Sequence, residues 1–255
     1  MIIDAYNTAQ NERGRSDYLT GARPGEAPPP HVPFDPNALL ERMDAADVDM
    51  AMVCSLAQRM ENDFIIELVG KHPDRFFGFG QVRPSDDDAL AEIARIAGAG
   101  MRGLKLHPTL HGYQFSDHGL LDPVFEACAE HGLLVLVNAL DDAFCSPLAI
   151  EEIAKGHPGV PTIIAHMGAV WNVLDAILVA ERTSNLYLDT SATLLADVRR
   201  AYRRLGPDKI LMGTEWPGHD FDLERMKIGK AILDDADRAL VEGGNMARLL
   251  GLADA

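Results

Sequence analysis

The sequence predicts one α/β domain over residues 1–255, folded as a single (β/α)8 barrel. Eight short runs rich in Val, Ile and Leu recur along the chain, and longer amphipathic segments separate them. The runs are continuously hydrophobic rather than alternating, which is typical of parallel strands covered on both faces. Strand and helix repeated eight times in a chain of this length favour a closed barrel.

The individual elements follow from these runs and from helix caps. Several helical segments begin after an acidic residue or Ser and end at Gly, which are ordinary helix start and stop signals. The helical segments include residues 36–47, 86–98, 122–132 and 146–158. The predicted strands are residues 2–6, 49–55, 76–81, 103–107, 133–138, 162–166, 186–191 and 210–215.

A doubly wound open sheet is the alternative architecture for such a pattern. It would place a glycine-rich turn after the first strand to cradle a pyrophosphate. The first strand here runs into DAYNTAQ at residues 4–10, which contains no glycine. The barrel is therefore the predicted fold.

A long loop is predicted from Thr8 to Pro36, because this segment lacks helical and strand periodicity and holds six prolines. After the first strand of a barrel, such a loop lies on the active-site face. It is either a lid or a surface excursion without a role, and the sequence leaves both open. Three arginines in the loop either meet an anionic substrate or stay solvated, and they are Arg13, Arg15 and Arg23.

Composition and charge narrow the class of protein. The chain is 47% hydrophobic and 24% charged, and no apolar run approaches the roughly 20 residues that span a bilayer. The first ten residues do not resemble a signal peptide, which predicts a cytoplasmic location. A net charge of −16 disfavours nucleic acid and anionic lipid as partners. We expect a small-molecule ligand, with a homodimer as the default assembly.

The cysteines do not indicate a disulfide framework. Cys54, Cys128 and Cys145 are odd in number and far apart in the sequence. This pattern also disfavours a clustered zinc site. Buried thiols are the expected interpretation.

The ends of the predicted strands carry the informative residues, because barrel enzymes place their functional groups there. The fourth strand ends in GLKLHP, the sixth in TIIAHMGA, the seventh in LYLDTS and the eighth in ILMGTEWP, and GGNMARLLGL follows near the end of the chain. Each motif is weak alone, but their order along nearly the whole chain is specific. This succession resembles the amidohydrolase-related family, which includes aminocarboxymuconate-semialdehyde decarboxylase and resorcylate decarboxylase.

The resemblance implies one divalent metal ion, held partly by an Asp-x-His-x-His run on the first strand and a His that ends the fifth. Here the first strand keeps Asp4 but has Tyr6 and Thr8 in place of the two histidines. Asn138 stands where the fifth strand would end in His. A hydroxyl or a neutral amide is a poor substitute for imidazole as a metal ligand.

The other two ligand positions that the resemblance implies are better preserved. His166 is retained on the sixth strand, and Glu215 replaces the Asp of the eighth strand with a longer carboxylate. Because three imidazoles are missing, we expect no tightly bound cofactor. The alternative is a rebuilt zinc or manganese site, formed by His107, His166, His219 and Glu215. His111 and His118 are expected to be solvated loop residues.

Chemistry without a metal needs other groups for the same tasks. Glu215 is the predicted general base, provided that burial raises its pKa, and His166 is predicted to orient it or to transfer a proton. Lys105 is expected to hold a carboxylate or an oxyanion, or else to pair with a carboxylate at the rim. The remaining predicted substrate-binding residues are Tyr6, His107, Asn138 and Trp216.

Three functions remain open from these residues. A Glu and His pair suits hydrolysis of a lactone or ester of a small, carboxylated molecule. Nonoxidative decarboxylation or hydration of a carboxylated ring needs the same acid–base and anion-binding groups. A catalytically silent barrel that binds a metabolite or a protein is the third interpretation.

Overall fold

The computed structural model describes residues 1–9, 34–140, 144–169 and 171–252. Most of the predicted loop from Thr8 to Pro36, with its three arginines, lies outside the described residues. Its last residues are described, and the Asp35 side chain there accepts a hydrogen bond from Asn37 N at 2.9 Å. This cap, with Pro36 in the first turn, begins the first helix.

Eight parallel strands form one sheet in the order β1 to β8, which confirms the predicted barrel. Each strand pairs in parallel with the next, as in Gly103–Leu134 between β4 and β5. The observed strands are shorter than predicted except for β3. They are β1 Ile3–Asp4, β2 Met50–Val53, β3 Phe76–Gln81, β4 Gly103–Leu106, β5 Leu134–Asn138, β6 Thr162–Ala165, β7 Leu186–Asp189 and β8 Ile210–Leu211.

The barrel closes through backbone hydrogen bonds between the segments that follow β1 and β8. Ala5 N donates to Met212 O at 2.8 Å, and Glu215 N donates to Tyr6 O at 2.7 Å. Thr8 N continues the series by donating to the carbonyl oxygen of Trp216 at 3.0 Å. The two predicted strand segments therefore meet, although only their first residues are regular strand.

Helices surround the sheet and follow the strands along the chain. They are α1 Pro36–Ala45, α2 Asn62–Lys71, α3 Ala89–Gly98, α4 Pro108–His111, α5 His118–His131, α6 Pro147–Gly156, α7 Val173–Arg182, α8 Leu195–Leu205, α9 Phe221–Ala231, α10 Asp235–Ala239 and α11 Asn245–Leu249. A short 3-10 turn over His166–Gly168 follows β6. No helix of the described residues is long and apolar enough to cross a membrane.

The core has two layers, one inside the barrel and one between sheet and helices. Phe77 and Phe79 fill the interior together with Leu134 and Leu136, while Val135 packs outward against the helices. Gly103 is required beside this interior layer, because a Cβ atom there would lie 2.5 Å from the Phe79 ring. The three cysteines are buried free thiols, as predicted.

Candidate active site

Polar side chains gather at the carboxyl ends of the strands, where the interior of the barrel opens. Lys105 is 2% exposed and His166 is 1% exposed, whereas the Glu215 side chain is 33% exposed. Asn138 and Asp189 are also buried there, at the ends of β5 and β7. Groups of this polarity carry a desolvation cost in a barrel interior, and such costs are commonly found at functional sites.

His166 and Glu215 form the centre of this cluster. Nε2 of His166 lies 3.7 Å from Oε1 of Glu215 and 3.3 Å from Oδ1 of Asn138. The contact joins the ends of β6 and β8. Each of these strands retains an ionisable side chain at a position that the family resemblance assigns to a metal ligand. The structure therefore brings the two predicted catalytic residues within reach of one small ligand.

Backbone strain accompanies this contact. His166 has φ of 58° and Glu215 has φ of 56°, both in the left-handed region that non-glycine residues seldom adopt. Each such residue costs on the order of 1–3 kcal/mol, and these conformations cluster at functional sites. Backbone hydrogen bonds hold them: His166 N donates to Asp189 Oδ2 at 2.9 Å, and Glu215 N donates to Tyr6 O at 2.7 Å.

Burial sets the charge states of the pair. Loss of solvation raises the pKa of Glu215 to about 7, against an opposing contribution from the Lys105 ammonium. Burial, together with the positive charge of Lys105, lowers the pKa of His166 to about 3. Near neutral pH the imidazole is therefore neutral, and the carboxyl group exchanges readily between its acid and carboxylate forms.

A third residue, Ser191, contacts the other side of the His166 ring. Ser191 Oγ lies 2.9 Å from His166 Nδ1 and donates a short hydrogen bond to Asp189 Oδ2. Ser191 N also donates to Asp189 Oδ1, at 3.2 Å. Ser191 was not among the site residues predicted from the sequence, although in the predicted strand 186–191 it shares a face with Asp189, two residues before it.

Gly213 makes room for the Asp189 carboxylate on the neighbouring strand end. A Cβ atom at Gly213 would lie 1.9 Å from Asp189 Oδ1, so any side chain there would displace the carboxylate. Asp189 accepts hydrogen bonds from the backbone amides of His166 and Ser191. Through these contacts Asp189 also reaches the active-site imidazole.

Tyr6 and Lys105 line the floor below the pair. Lys105 Nζ lies 4.7 Å from the centre of the Tyr6 ring, and that ring lies 5.3 Å from the ring of His166. Burial and the nearby Glu215 carboxylate raise the pKa of Tyr6 well above its ordinary value, so its phenol stays protonated. Among the described residues no carboxylate forms an ion pair with Lys105, in contrast to the alternative of a partner at the rim.

The Asp4 carboxylate is hydrogen-bonded to the segments that follow β1 and β8. It accepts hydrogen bonds from Tyr6 N at 3.0 Å, from Thr214 N at 3.1 Å and from the Thr214 hydroxyl. Burial raises its pKa to about 7, which these hydrogen bonds oppose. Asp4 thus ties the end of β1 to the segment after β8.

The other predicted histidines lie around the rim. His107 follows β4 and caps α4, where its Nδ1 accepts a hydrogen bond from Leu110 N at 3.5 Å. Burial lowers the pKa of His107 to about 3. His219 is half-buried after β8, and its charge contributes to the lowered pKa of His166.

His111 and His118 lie in helices and not in a loop, which corrects the prediction from the sequence, whereas His118 is exposed to solvent as expected. His111 ends α4, and its Nε2 lies 2.9 Å from Ala57 O. His118 begins α5, four residues before the predicted start at residue 122, because the Asp117 side chain caps the helix there. His118 then pairs with Asp122 one turn later, at 3.1 Å.

Trp216 follows Glu215 after β8 and packs against Phe34. Its ring meets the ring of Phe34 edge to face, with centroids 6.0 Å apart. Its backbone carbonyl accepts hydrogen bonds from the Thr8 amide at 3.0 Å and from the Thr8 hydroxyl at 3.2 Å. The side chain is therefore placed at the rim, between the end of β8 and the residues that precede α1.

Comparison with known proteins relates this arrangement to one family. A family model described as amidohydrolase matches residues 7–252. A 2-amino-3-carboxymuconate-6-semialdehyde decarboxylase of Dictyostelium discoideum is 25% identical over 123 residues, which are 41% of this chain and 34% of the relative. The match thus spans about a third of the length of that relative.

Solved structures share the whole fold at low identity. A dihydroxybenzoic acid decarboxylase from a Polaromonas species, with bound manganese and the inhibitor 2-nitroresorcinol, has a TM-score of 0.76 at 17% identity and covers 100% of this chain and 98% of its own. A probable 2-pyrone-4,6-dicarboxylic acid hydrolase from Acinetobacter baumannii, with citric acid bound, has a TM-score of 0.74 at 12% identity and covers 98% of this chain and 99% of its own.

The described residues do not fit a manganese or zinc ion at the corresponding place. The Thr8 hydroxyl donates to a backbone carbonyl, and Asn138 offers an amide instead of an imidazole. Among the parts of the chain that the structure describes, no three His, Cys, Asp or Glu side chains converge as metal ligands would. The rebuilt site of His107, His166, His219 and Glu215 is therefore not formed in this arrangement.

Proposed function

The chain belongs to the amidohydrolase family, and from that premise we propose that it is an enzyme that hydrolyses a lactone or ester of a small, carboxylated molecule. One observation carries the proposal: His166 Nε2 lies 3.7 Å from Glu215 Oε1 in a buried barrel mouth. A carboxyl group with a pKa of about 7 beside a neutral imidazole is suited to proton transfer near neutral pH.

Glu215 is the general base in this proposal. Its carboxylate takes a proton from the attacking water, and its half-exposed position lets that water enter. His166 is neutral and orients the water or passes a proton toward the leaving oxygen. A base whose pKa lies near the working pH combines a sufficient ionised fraction with sufficient basicity.

Lys105 holds the negative charge of the substrate. It is a buried ammonium group in a chain of net charge −16, and the described residues give it no direct carboxylate partner. A substrate carboxylate, or the oxyanion that forms when water attacks, would supply that partner. Tyr6 and Asn138 add hydrogen-bond donors from the same floor, while His107 and Trp216 contact the substrate from the rim.

The proposed chemistry needs no tightly bound metal. Tyr6, Thr8 and Asn138 replace three imidazoles at the positions that the family resemblance assigns to metal ligands. General-base catalysis by Glu215 generates the nucleophile, and Lys105 stabilises the negative charge. We propose that these two residues take over the tasks that a metal ion performs in metal-dependent hydrolysis.

Nonoxidative decarboxylation is the second candidate. The observation that favours it is the same pKa of about 7, because a protonated Glu215 can deliver a proton to the ring carbon that loses carbon dioxide. The Dictyostelium and Polaromonas proteins are both named decarboxylases. The two reactions require opposite protonation states of Glu215, which makes them distinguishable by pH.

A substrate screen with chelator-treated protein tests the proposal. Lactones, esters and carboxylated aromatic compounds are assayed for hydrolysis and for release of carbon dioxide. Glu215→Gln is measured beside Glu67→Gln, a control on the exposed face of α2 where Glu67 pairs with Lys71. Turnover that is lost only in Glu215→Gln supports the proposal, whereas ligand binding without turnover of any compound would favour a silent barrel.

A further inference from the structure

The hydroxyl group of Ser191 has two partners but only one hydrogen. Its Oγ touches Asp189 Oδ2 and lies 2.9 Å from His166 Nδ1. The hydrogen goes to one partner, and the oxygen must accept from the other. The direction of this bond decides which nitrogen of the imidazole carries a proton.

Asp189 is the partner that receives the Ser191 hydrogen. Its two oxygens already accept the backbone N–H groups of His166 at 2.9 Å and of Ser191 at 3.2 Å. Burial raises the pKa of Asp189, but the three converging donors and the charge of Lys227 oppose that rise. Three donors match an ionised carboxylate, which has no hydrogen to give. Lys227 adds a positive charge nearby, since its Nζ donates to Thr190 O at 2.7 Å.

We infer that Asp189 and Ser191 are positioning residues that hold His166 in the tautomer protonated at Nδ1. With its hydrogen on Asp189, Ser191 Oγ accepts the Nδ1–H group, and Nε2 keeps its lone pair. That lone pair faces the amide of Asn138 and the carboxyl group of Glu215, at 3.3 and 3.7 Å. The Asn138 amide then turns its NH2 group toward Nε2, since the two ends of an amide have nearly the same shape.

The consequence for catalysis rests on the proposed function. An imidazole fixed in this tautomer presents a hydrogen-bond acceptor at Nε2, which can orient a bound water or the protonated carboxyl group of Glu215. An imidazole protonated at Nε2 would present a donor there and would compete with water for the Glu215 carboxylate. Asp189 and Ser191 are fully buried and act only through His166.

Nitrogen NMR of protein labelled with 15N-histidine tests the inference without any substrate. Two-bond proton–nitrogen correlations distinguish the tautomers, and the spectrum of His166→Asn identifies the His166 signals among the nine histidines. We expect the wild-type protein to show His166 protonated at Nδ1 and unprotonated at Nε2. A wild-type ring protonated at Nε2 would overturn the inference.

A variant pair separates the Ser191 hydroxyl from general effects of mutation. Ser191→Ala removes the acceptor of Nδ1–H, so the ring is expected to populate the Nε2–H form, which donates to Asn138 Oδ1. Thr193→Ala removes a neighbouring buried hydroxyl that bonds to Thr190 O at 2.6 Å, and it is expected to leave the His166 signals unchanged. An unchanged tautomer in a folded Ser191→Ala protein contradicts the inference.

The two proposals can fail separately. A correct tautomer together with full activity of Glu215→Gln would overturn the proposed function alone. Where a substrate is found, Ser191→Ala is expected to lower kcat by about 10-fold or more while KM changes little. Loss of binding with unchanged kcat would contradict the positioning role.

Discussion

His166 Nε2 lies 3.7 Å from Glu215 Oε1, although β6 and β8 are not neighbours in the sheet. The strand between them, β7, ends in Asp189, which accepts the His166 amide and the Ser191 hydroxyl. Gly213 leaves the space in which this carboxylate lies. The contact between His166 and Glu215 therefore depends on the ends of β6, β7 and β8 and on the absence of a Cβ atom at Gly213.

The pH dependence of activity follows from the pKa of Glu215, which burial raises to about 7. A general base must be ionised, so kcat/KM for hydrolysis is expected to rise with pH and to level off above about 7. His166 stays neutral at pH values above its lowered pKa, so it adds no second change of slope to the pH–rate profile near neutrality. Initial rates between about pH 5 and 9 measure this profile. A rate that falls through pH 7 would instead indicate that protonated Glu215 acts as the acid of a decarboxylase.

The stability of the fold has a pH dependence of the opposite sense. The pKa of Glu215 is about 7 in the folded chain and 4.5 without burial, so the folded state binds the proton more tightly. The contribution of protonated Glu215 to the free energy of unfolding is therefore fully present below about pH 4.5, and it is lost as pH rises through about 7. Glu215→Gln removes the buried charge and is expected to raise Tm at pH 8, relative to wild type, by about 2–4 °C. Thermal melts of both proteins at pH 5 and 8 check this, and an equal difference at both pH values contradicts it.

Lys105 is expected to determine the affinity for carboxylated ligands. Lys105→Met keeps the length and apolar contacts of the stem but removes the charge above the Tyr6 ring. Calorimetry with citrate, which the Acinetobacter structure contains, is expected to show a Kd weaker by about 10-fold or more. Lys209→Met is the matched control, because Lys209 Nζ lies over an aromatic ring in the same way, 4.8 Å from the centre of the Tyr187 ring. Lys209 directly precedes β8, at the end of the barrel opposite the active site. Equal affinity in wild type and Lys105→Met would remove Lys105 from the site.

Metal content provides a separate prediction. Protein purified without chelator or affinity metal is expected to contain much less than one tightly bound transition metal per chain, because Tyr6, Thr8 and Asn138 offer no imidazole. Elemental analysis measures this directly. Stoichiometric zinc, manganese or iron would contradict it, and His107→Asn and His219→Asn would then identify the ligands by loss of that metal.

The sequence predicts the barrel and the two central residues because both depend on local patterns. Continuous apolar runs mark the strands, and the end of a strand defines the position of the residue that follows it. His166 and Glu215 are found by this rule. Strand lengths are predicted less well. The predicted eighth strand reaches Glu215, but Glu215 has a left-handed backbone conformation that no local pattern reveals, although its amide still donates to Tyr6 O.

The role of Ser191 and the surroundings of Lys105 do not follow from the sequence. Ser191 contacts His166 from the end of the neighbouring strand, and this contact also depends on the space that Gly213 leaves for the Asp189 carboxylate. A lysine at a strand end is equally compatible with an ion pair at the rim. Only the packed barrel places Lys105 over Tyr6 without such an ion pair among the described residues.

The most direct test of the central claim is the turnover of Glu215→Gln on a substrate found by the screen. The glutamine keeps the shape and the hydrogen bonding of Glu215 but cannot accept a proton at pH 7. We expect kcat to fall by about 10²-fold or more while ligand binding persists. If the pair acts as a unit, combining His166→Asn with Glu215→Gln lowers kcat by less than the product of the two separate effects. Wild-type turnover by Glu215→Gln would contradict the assignment of Glu215 as the catalytic base.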